Sequence, residues 1–227
     1  MAAPIIVFDL DGTLVDTAPD LLDSLNHSLA TVDMEPVDGA DIRRLVGMGA
    51  KVMIERAFEA RQLELTKPKL AQLFDVFLEH YSANMPGHSA PYPGVPEALD
   101  RFSDAGFSFA VCTNKYEGMS VELLESLGLR DRFKAICGQD TFAHRKPDPR
   151  HLTLTIEAAG GDPTRAIMVG DSQTDIKTAI AAGIPVVAVD FGYTDRHVSN
   201  FDPSHVISHF DELTQPLVDR LLKAVAS

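Results

Sequence analysis

The chain has 227 residues, of which 45% are hydrophobic and 23% charged, as expected for a folded protein with a sizeable core. Its formal net charge of −13 at pH 7 disfavours nucleic acid and anionic membrane surfaces as partners. The first residues lack the basic and apolar regions of a signal peptide, and no stretch approaches the roughly 20 apolar residues of a membrane span. We therefore expect a cytoplasmic protein, with its oligomeric state open between monomer and homodimer.

The first predicted element is a short apolar strand that ends in acidic residues. Residues 5–8, with the sequence IIVF, are β-branched and aromatic, as in a buried parallel strand. Asp9 and Asp11 follow at alternate positions, with Gly12 and Thr13 directly behind them. Alternate residues of an extended chain point to the same side, so we expect these two carboxylates to project together.

Three amphipathic helices, with almost no strand signal, are predicted between Thr17 and about Met85. The apolar positions at helical spacing are Leu21, Leu22, Leu25 and Leu29; Val52, Met53, Ala57 and Phe58; and Leu70, Leu73, Phe74, Phe77, Leu78 and Tyr81. The stretch 86–96 contains four prolines and two glycines, which predicts a loop or linker. We interpret residues 17–89 as a helical domain inserted after the first strand.

Strand and helix patterns alternate along the rest of the chain. The predicted strands cover 107–112, 135–137, 166–169, 185–189 and 206–208, and the predicted helices cover 95–105, 118–127, 149–159, 174–182 and a segment from about Glu212. This alternation predicts a parallel sheet with helices on both faces, to which the first strand also belongs. The predicted fold is therefore α/β: a Rossmann-like parallel sheet core, residues 1–16 and 90–227, with an α-helical cap domain at 17–89.

Two strands of this sheet end in aspartate, at Asp9 and at Asp171. Ligands of open parallel sheets bind at the carboxyl ends of the strands, so these carboxylates converge if their strands are neighbours. Grouped carboxylates repel one another, and a divalent cation relieves that repulsion; a site made of oxygen ligands suits Mg²⁺. A bound cation would in turn attract a phosphate group despite the acidic surface.

Two further segments fit a phosphate site. Thr113 and Asn114 lie between a predicted strand and a helix, where a hydroxyl and backbone N–H groups can bind phosphate oxygens. In the sequence RKPDP, residues 145–149, the prolines fix the loop and start the next helix, which leaves Lys146 able to balance the charge of acids and phosphate. Alone, the first segment could be an ordinary helix cap and the second a solvated lysine; their combination with the acidic strand ends indicates phosphate chemistry.

Four segments resemble the ordered motifs of the haloacid dehalogenase superfamily, and the resemblance covers the whole chain. These segments are DLDGTLVD at 9–16, Thr113-Asn114, Arg145-Lys146-Pro147, and Gly170-Asp171-Ser172 with Asp175. Dehalogenases of the superfamily lack the second aspartate, because a halide leaving group needs no proton. The presence of Asp11 therefore favours phosphate ester chemistry.

The resemblance implies a role for each motif residue. Asp9 would be the nucleophile that forms an aspartyl-phosphate, and Asp11 the general acid and then the base that activates water. Mg²⁺ would be held by the Asp9 side chain, the Asp11 backbone carbonyl and Asp171. Thr113 and Asn114 would bind the transferring phosphoryl group, and Lys146 would neutralise its charge. Asp175 would orient Lys146 or metal-bound water.

The predicted cap also resembles phosphoglycolate phosphatases, in LVGMG at 45–49 and MIERA at 53–57. So does Phe191-Gly192-Tyr193, which follows the last long strand of the predicted core. Gly47 and Gly49 precede a helix expected to start near Ala50. Bare N–H groups at a helix N-terminus could bind the carboxylate of a two-carbon acid, although an ordinary interhelical loop fits the sequence equally well. Whether any of the flanking cations meets the substrate is left open, and these cations are Arg43, Arg44 and Lys51.

The predicted function is Mg²⁺-dependent hydrolysis of a small phosphorylated metabolite, with 2-phosphoglycolate giving glycolate and phosphate as the first candidate. A sugar phosphomutase of the same superfamily is an alternative, but the histidine expected shortly after residues 16–18 is absent, and the first histidine is His27. Phosphonate hydrolysis would need a cap lysine, for which Lys51 is a poor candidate. A non-catalytic protein that binds a phosphorylated metabolite would not need both Asp9 and Asp11.

Overall fold

The computed structural model of the protein describes residues 3–39, 49–194 and 196–225. Strands β1 to β8 cover Ile5–Phe8, Val15–Asp16, Ala90–Pro91, Ser108–Cys112, Ala135–Cys137, Ala166–Gly170, Val186–Val189 and His205–Ile207. Helices α1 to α8 cover Ala18–Ala30, Ala50–Glu59, Lys67–Asn84, Val95–Asp104, Glu117–Ser126, Pro149–Ala158, Gln173–Ala182 and Gln215–Val225. No helix within these ranges combines the length and the apolar character needed to cross a membrane.

Six strands form a parallel sheet in the order β5-β4-β1-β6-β7-β8, which confirms the predicted α/β core. Strand β1 lies in the middle of the sheet, where Ile5 is in register with Ser108 of β4 and with Ala166 of β6. Because β1 and β6 are neighbours, the residues that follow them, Asp9 and Asp171, lie at the same edge of the sheet.

The apolar sequence of β1 is explained by burial on both faces of the sheet. Ile6 and Phe8 pack into the hydrophobic core on one face, and Ile5 and Val7 pack into the core on the other. Alternate side chains of a strand point to opposite faces, so a central strand covered by helices on both sides is apolar throughout. This packing fixes the position of the end of β1, where the chain leaves the sheet and enters the functional site.

The predicted helical segment contains α1, α2 and α3, which share a hydrophobic core of their own. Its buried members include Leu25, Ile54 and Phe77, together with Tyr193 from the sheet side of the molecule. The chain leaves and re-enters through β2 and β3, which pair as a short antiparallel ladder with Val15 opposite Pro91. The prolines and glycines of this return segment predicted a loop or linker, and a strand of two residues is too short to show a pattern of its own.

The last helix starts later than predicted. It begins at Gln215 rather than near Glu212, and Phe210–Glu212 forms a short 3-10 helix instead. Pro216 has no backbone N–H to donate and clashes with the preceding turn inside a helix, so it fits only in the first turn. A helix that contains Pro216 therefore cannot start a full turn earlier.

A buried carboxylate joins the start of α1 to the returning chain. The Asp20 side chain accepts hydrogen bonds from the backbone N–H groups of His88, at 2.8 Å, and Ser89, at 2.7 Å. It also accepts a hydrogen bond from the Ser89 hydroxyl, at 2.5 Å. These contacts hold together the two points at which the helical segment connects to the sheet.

We predict that Asp20→Ala lowers the free energy of unfolding by about 3 kcal/mol, because three donors lose a charged acceptor in a buried place. The measurement is urea denaturation followed by circular dichroism. Asp23→Ala is the matched control: the Asp23 side chain lies on the same helix but is 74% exposed, and its loss should cost less than about 0.5 kcal/mol. Equal denaturation midpoints for the two variants would contradict the role of Asp20.

Candidate active site

The site lies at the carboxyl ends of β1, β4 and β6, and its first acidic group is Asp9. The Oδ1 atom of Asp9 accepts hydrogen bonds from the Leu10 backbone N–H, at 2.7 Å, and from the Lys146 ammonium, at 2.9 Å. Lys146 also contacts Asp175 Oδ1 at 2.5 Å, and its side chain is only 1% exposed. Lys146 therefore reaches the sheet edge, where the sequence placed it.

Asp171 is fully buried in the same group of side chains, and hydrogen bonds hold its carboxylate in place. It accepts hydrogen bonds from the Thr13 hydroxyl, at 2.9 Å, and from the Tyr193 backbone N–H, at 2.6 Å. A Cβ atom on Gly12 or Gly192 would overlap the Asp171 side chain, and Gly12 has a φ of 80°. Glycine is thus required at both positions by the close approach of the backbone to this carboxylate.

Tyr193 connects this carboxylate to the start of the helical segment. Its backbone N–H holds Asp171, while its hydroxyl donates to Asp16 Oδ1 at 2.5 Å and accepts from the Ala18 N–H at 2.7 Å. One residue of the segment 191–193, which was noted only for its resemblance to phosphoglycolate phosphatases, thus contacts both the acidic cluster and the entry to α1.

Asp175 serves the site from the first turn of α7. Its carboxylate and the Ser172 side chain form a capping box, in which Ser172 donates through both its N–H and its hydroxyl to Asp175 Oδ2. The other oxygen of Asp175 accepts from Lys146. This contact with Lys146 is compatible with one of the two roles that the sequence left open for Asp175.

The carboxylates form a group that suits a divalent cation. Oxygen atoms of Asp9, Asp171 and Asp175 all lie within 4.8 Å of one another. Both carboxylate oxygens of Asp175 accept hydrogen bonds, one from Lys146 and the other from Ser172. Asp9 and Asp171 are therefore the candidate side-chain ligands. Carboxylate oxygens in a buried, negatively charged group are the donors that Mg²⁺ prefers, and the residues present therefore fit this metal.

Burial raises the pKa of both candidate ligands. The pKa of Asp9 rises to about 7, first because burial penalises the charged form and then because Asp175 repels it, although Lys146 opposes the shift. The pKa of Asp171 also lies well above its ordinary range, through burial and the charges of Asp175 and Asp9. A divalent cation between the two carboxylates would remove this electrostatic penalty.

Asp11 pairs with a lysine to which sequence analysis gave no role. The Lys115 ammonium lies 3.2 and 3.4 Å from the two carboxylate oxygens of Asp11 and donates to the Tyr81 hydroxyl at 2.8 Å. Lys115 directly follows the Thr113-Asn114 motif, which was the available signal. The contact itself joins three segments far apart in sequence, and no local pattern reveals it. The metal ligand predicted at Asp11 is the backbone carbonyl, so this side-chain pair does not conflict with it.

The predicted phosphate-binding residues line the same edge. Thr113 is buried, and its hydroxyl accepts the Lys115 backbone N–H at 3.2 Å. The Asn114 amide donates to the Lys146 carbonyl at 3.0 Å, while its buried Oδ1 has no partner among the described residues. Both side chains thus stand between the two buried lysines of the site.

A pocket separates this edge from the helical segment above it. Its polar floor contains Asp9, Asp11, Thr113, Asn114, Lys115 and Gln139, and its upper walls contain Leu21, Gly49, Ala50, Met53, Phe74, Phe77, Leu78, Tyr81, Tyr116 and Met119. The floor carries all the charged groups of the lining, and the walls are largely apolar. Such a pocket suits a small ligand with its anionic end on the sheet edge.

The loop before α2 is described only in part. Gly49 is the residue before the helix, as predicted, has a φ of 92° and lines the pocket with Ala50. Lys51 is exposed and lies 4.6 Å from the centre of the Phe74 ring. The other residues named from this loop, Gly47, Arg43 and Arg44, lie outside the described residues.

Comparisons with known proteins agree with this geometry. A model of the haloacid dehalogenase-like hydrolase family matches residues 6–189. The chain is 66% identical over 224 residues to a phosphoglycolate phosphatase of Mesorhizobium japonicum, covering 99% of both chains. It is 52% identical to one of Agrobacterium fabrum, covering 99% of this chain and 97% of the other. A crystal structure described as a predicted phosphoglycolate phosphatase from Haemophilus somnus aligns with a TM-score of 0.86 and 30% identity, covering 93% of this chain and 96% of that one.

The chain therefore belongs to the haloacid dehalogenase-like hydrolases. Within that family it is a phosphoric monoester hydrolase that resembles the phosphoglycolate phosphatases. The resemblance inferred from the four motifs is confirmed, and so is the class of reaction expected from Asp11.

The raised pKa values predict how the metal-free protein responds to pH. Asp9 has a pKa of about 7 in the folded protein against 3.8 as the ordinary value, so the folded state binds more protons than the unfolded state between these limits. Stability then falls as pH rises through this range, by up to about 1.4 kcal/mol per pH unit for each such group. We expect the melting temperature in EDTA to fall from pH 5 to pH 7.5, and Mg²⁺ to restore it at pH 7.5.

Asp171→Asn tests whether this carboxylate is the origin of the effect. Its amide oxygen can still accept from Tyr193, and its NH₂ group can donate to the Thr13 hydroxyl, so both contacts survive. We predict a melting temperature in EDTA at pH 7.5 at least about 2 °C above the wild type, and little further increase with Mg²⁺. Asp131→Asn, at an exposed aspartate, is the control and should behave as the wild type. A full Mg²⁺ response in Asp171→Asn would count against Asp171 as a ligand.

Proposed function

We propose that the protein hydrolyses a small phosphate monoester in a Mg²⁺-dependent reaction, with 2-phosphoglycolate as the preferred substrate and an aspartyl-phosphate on Asp9 as the intermediate. The observation that carries this proposal is a pair of strand-end carboxylates, each with its own buried lysine. Asp9 pairs with Lys146 and Asp11 with Lys115, and both aspartates lie on the floor of a small pocket. The two acids therefore have separate environments, as two different roles in one reaction require.

In the proposed reaction Asp9 is the nucleophile. Its hydrogen bonds from Leu10 and Lys146 both go to Oδ1, which leaves Oδ2 as the oxygen available to phosphorus. In the first step a bond forms between Asp9 and phosphorus while the ester bond to the leaving oxygen breaks. Thr113 and Asn114 would hold the transferring phosphoryl oxygens, and Lys146 would offset the charge that Asp9 and the phosphate bring together.

In the proposed reaction Asp11 moves the proton. In its acid form it donates a proton to the leaving oxygen, which departs as the hydroxyl of glycolate. As a carboxylate it then takes a proton from the water that attacks phosphorus, which releases phosphate and regenerates Asp9. When bound by Asp9, Asp171 and the Asp11 backbone carbonyl, Mg²⁺ would supply positive charge for the phosphoryl oxygens.

The pocket supports a small acidic substrate. The helical segment covers the sheet edge with apolar side chains, and the backbone at Gly49 and Ala50 brings a helix N-terminus to the pocket wall. Relatives named phosphoglycolate phosphatases match this chain over almost its full length. We also propose that residues 17–89 act as a cap domain on a core of 1–16 and 90–227, which the separate hydrophobic core of the helices supports.

The first test measures phosphate release from 2-phosphoglycolate, sugar phosphates, nucleotides and pyrophosphate, with Mg²⁺ and with EDTA. We expect 2-phosphoglycolate to have the highest kcat/KM, and EDTA to abolish turnover. Asp9→Asn should show no turnover, and Asp11→Asn should lower kcat by about 10²- to 10⁴-fold, as for loss of a general acid. Asp131→Asn should keep wild-type rates. Isomerisation of β-glucose 1-phosphate without phosphate release would favour a mutase instead.

A second test looks for the intermediate directly. During turnover with 2-phosphoglycolate we expect borohydride to reduce the acyl phosphate at position 9, which converts the aspartate side chain to that of homoserine. A free carboxylate does not react, so mass spectrometry of the peptide containing residues 5–16 distinguishes the two states. Asp11→Asn should show a larger reduced fraction if its loss slows hydrolysis of the intermediate more than its formation. Turnover with an unmodified peptide would argue for direct attack by water.

A further inference from the structure

The Lys115 ammonium is positioned at the pocket floor by contacts from two parts of the molecule. Asp11, just after β1, and Tyr81, on α3 of the helical segment, both accept hydrogen bonds from it. Its side chain is only 6% exposed. Burial by itself would lower the pKa of Lys115, but Asp11 and Tyr81 outweigh burial and hold the pKa above its ordinary value, so the lysine stays charged.

Lys115 has donor capacity left for a ligand. An ammonium group has three N–H donors, and the two contacts just described use two of them, because the Asp11 oxygens lie side by side. No other hydrogen bond from this ammonium joins the described residues. Since Lys115 lines the pocket together with Asp11 and Tyr81, its third donor is available to a molecule bound there.

The other cations near the site in the described part of the chain have different contacts. Lys146 is held between Asp9 and Asp175 and does not line the pocket. Lys51 is exposed and lies over the Phe74 ring. Among the described residues, Lys115 is therefore the only lysine or arginine in the pocket lining.

We propose that Lys115 selects phosphate monoesters that carry a carboxylate on the carbon next to the leaving oxygen. This inference rests on the function proposed above, in which Asp11 protonates that oxygen. In 2-phosphoglycolate the carboxylate is attached to the carbon that bears the leaving oxygen. Asp11 would contact the leaving oxygen, and the Lys115 ammonium contacts Asp11. Lys115 therefore lies close to the position that the substrate carboxylate would take.

Tyr81 extends the same site into the helical segment. Its hydroxyl lies 2.8 Å from the Lys115 ammonium, and the Lys115 charge lies over its ring at 4.2 Å from the centre. Both contacts join α3 to the sheet edge. Tyr81 is therefore a positioning residue, which aims the ammonium across the pocket while Asp11 holds it from the other side.

The test compares two substrates of the same shape, 2-phosphoglycolate and its carboxamide, which is neutral at that end. For the wild type we expect kcat/KM to favour the acid by roughly 10- to 100-fold, the range for a charge-assisted hydrogen bond. Lys115→Met keeps a similar chain length without charge. It should lower kcat/KM for both substrates through the lost Asp11 contact, and bring the ratio between them to about one, mainly through KM for the acid.

Two further variants and a stability measurement serve as controls. Lys134→Met, at an exposed lysine of the core, should keep both rates and their ratio. Tyr81→Phe keeps the ring and removes the hydroxyl, so the preference for the acid should shrink without vanishing. Melting temperatures report whether Lys115→Met folds, and Lys115→Gln replaces it if it does not.

The outcomes separate this inference from the proposed function. A preference for the acid that survives in Lys115→Met and Lys115→Gln, or no preference in the wild type, overturns the role of Lys115. A preference for another carboxylate-bearing ester, such as phospholactate, that collapses in the variants supports Lys115 and removes 2-phosphoglycolate as the preferred substrate. If the wild type hydrolyses no ester, the proposed function fails, and calorimetric binding of the acid and the amide to wild type and Lys115→Met decides the inference instead.

Discussion

The structure depends on how negative charge is balanced at the carboxyl edge of the sheet. Asp9, Asp171 and Asp175 stand within contact distance of one another, and Lys146 is the cation buried among them. Buried charges are costly unless they are paired and hydrogen bonded, so each member must be held by the surrounding chain. That requirement explains the glycines that let the backbone approach Asp171, and the capping box that fixes Asp175.

The same edge carries a second, separate charge pair. Asp11 and Lys115 form this pair on the pocket floor, and the contact continues to Tyr81 of the helical segment. This division gives the two strand-end aspartates unlike surroundings although they are only two residues apart. The nucleophile and the general acid of the proposed reaction need that difference, because one must react as a carboxylate while the other must exchange a proton.

The helical segment is connected to this edge at several points rather than resting on it. Tyr193 joins the carboxylate of Asp171 to the entry of α1, and Asp20 joins α1 to the returning chain. The short β2–β3 ladder keeps the two connections side by side. Any movement of the helices relative to the sheet must therefore take place about these contacts, close to the acidic group itself.

The parallel sheet, its first apolar strand and the three helices followed from the sequence, whereas the convergence of Asp9 with Asp171 was expected only if their strands were neighbours. Each rests on local information: apolar periodicity, the residues that end a strand, and the general rule for where parallel sheets bind ligands. The start of α8 was predicted too early, although Pro216 limits how far ahead of it the helix can begin. The β2–β3 ladder was missed because two-residue strands carry almost no periodicity.

The sequence by itself determined the chemical groups of the site and the order in which the chain brings them to the sheet edge. Only the tertiary structure decided which groups pair: Lys146 with Asp9 and Asp175, and Lys115 with Asp11 and Tyr81. The reason is physical. Spacing along a strand or helix fixes the direction of a side chain, whereas the partner of a buried charge depends on the packing of segments distant in sequence.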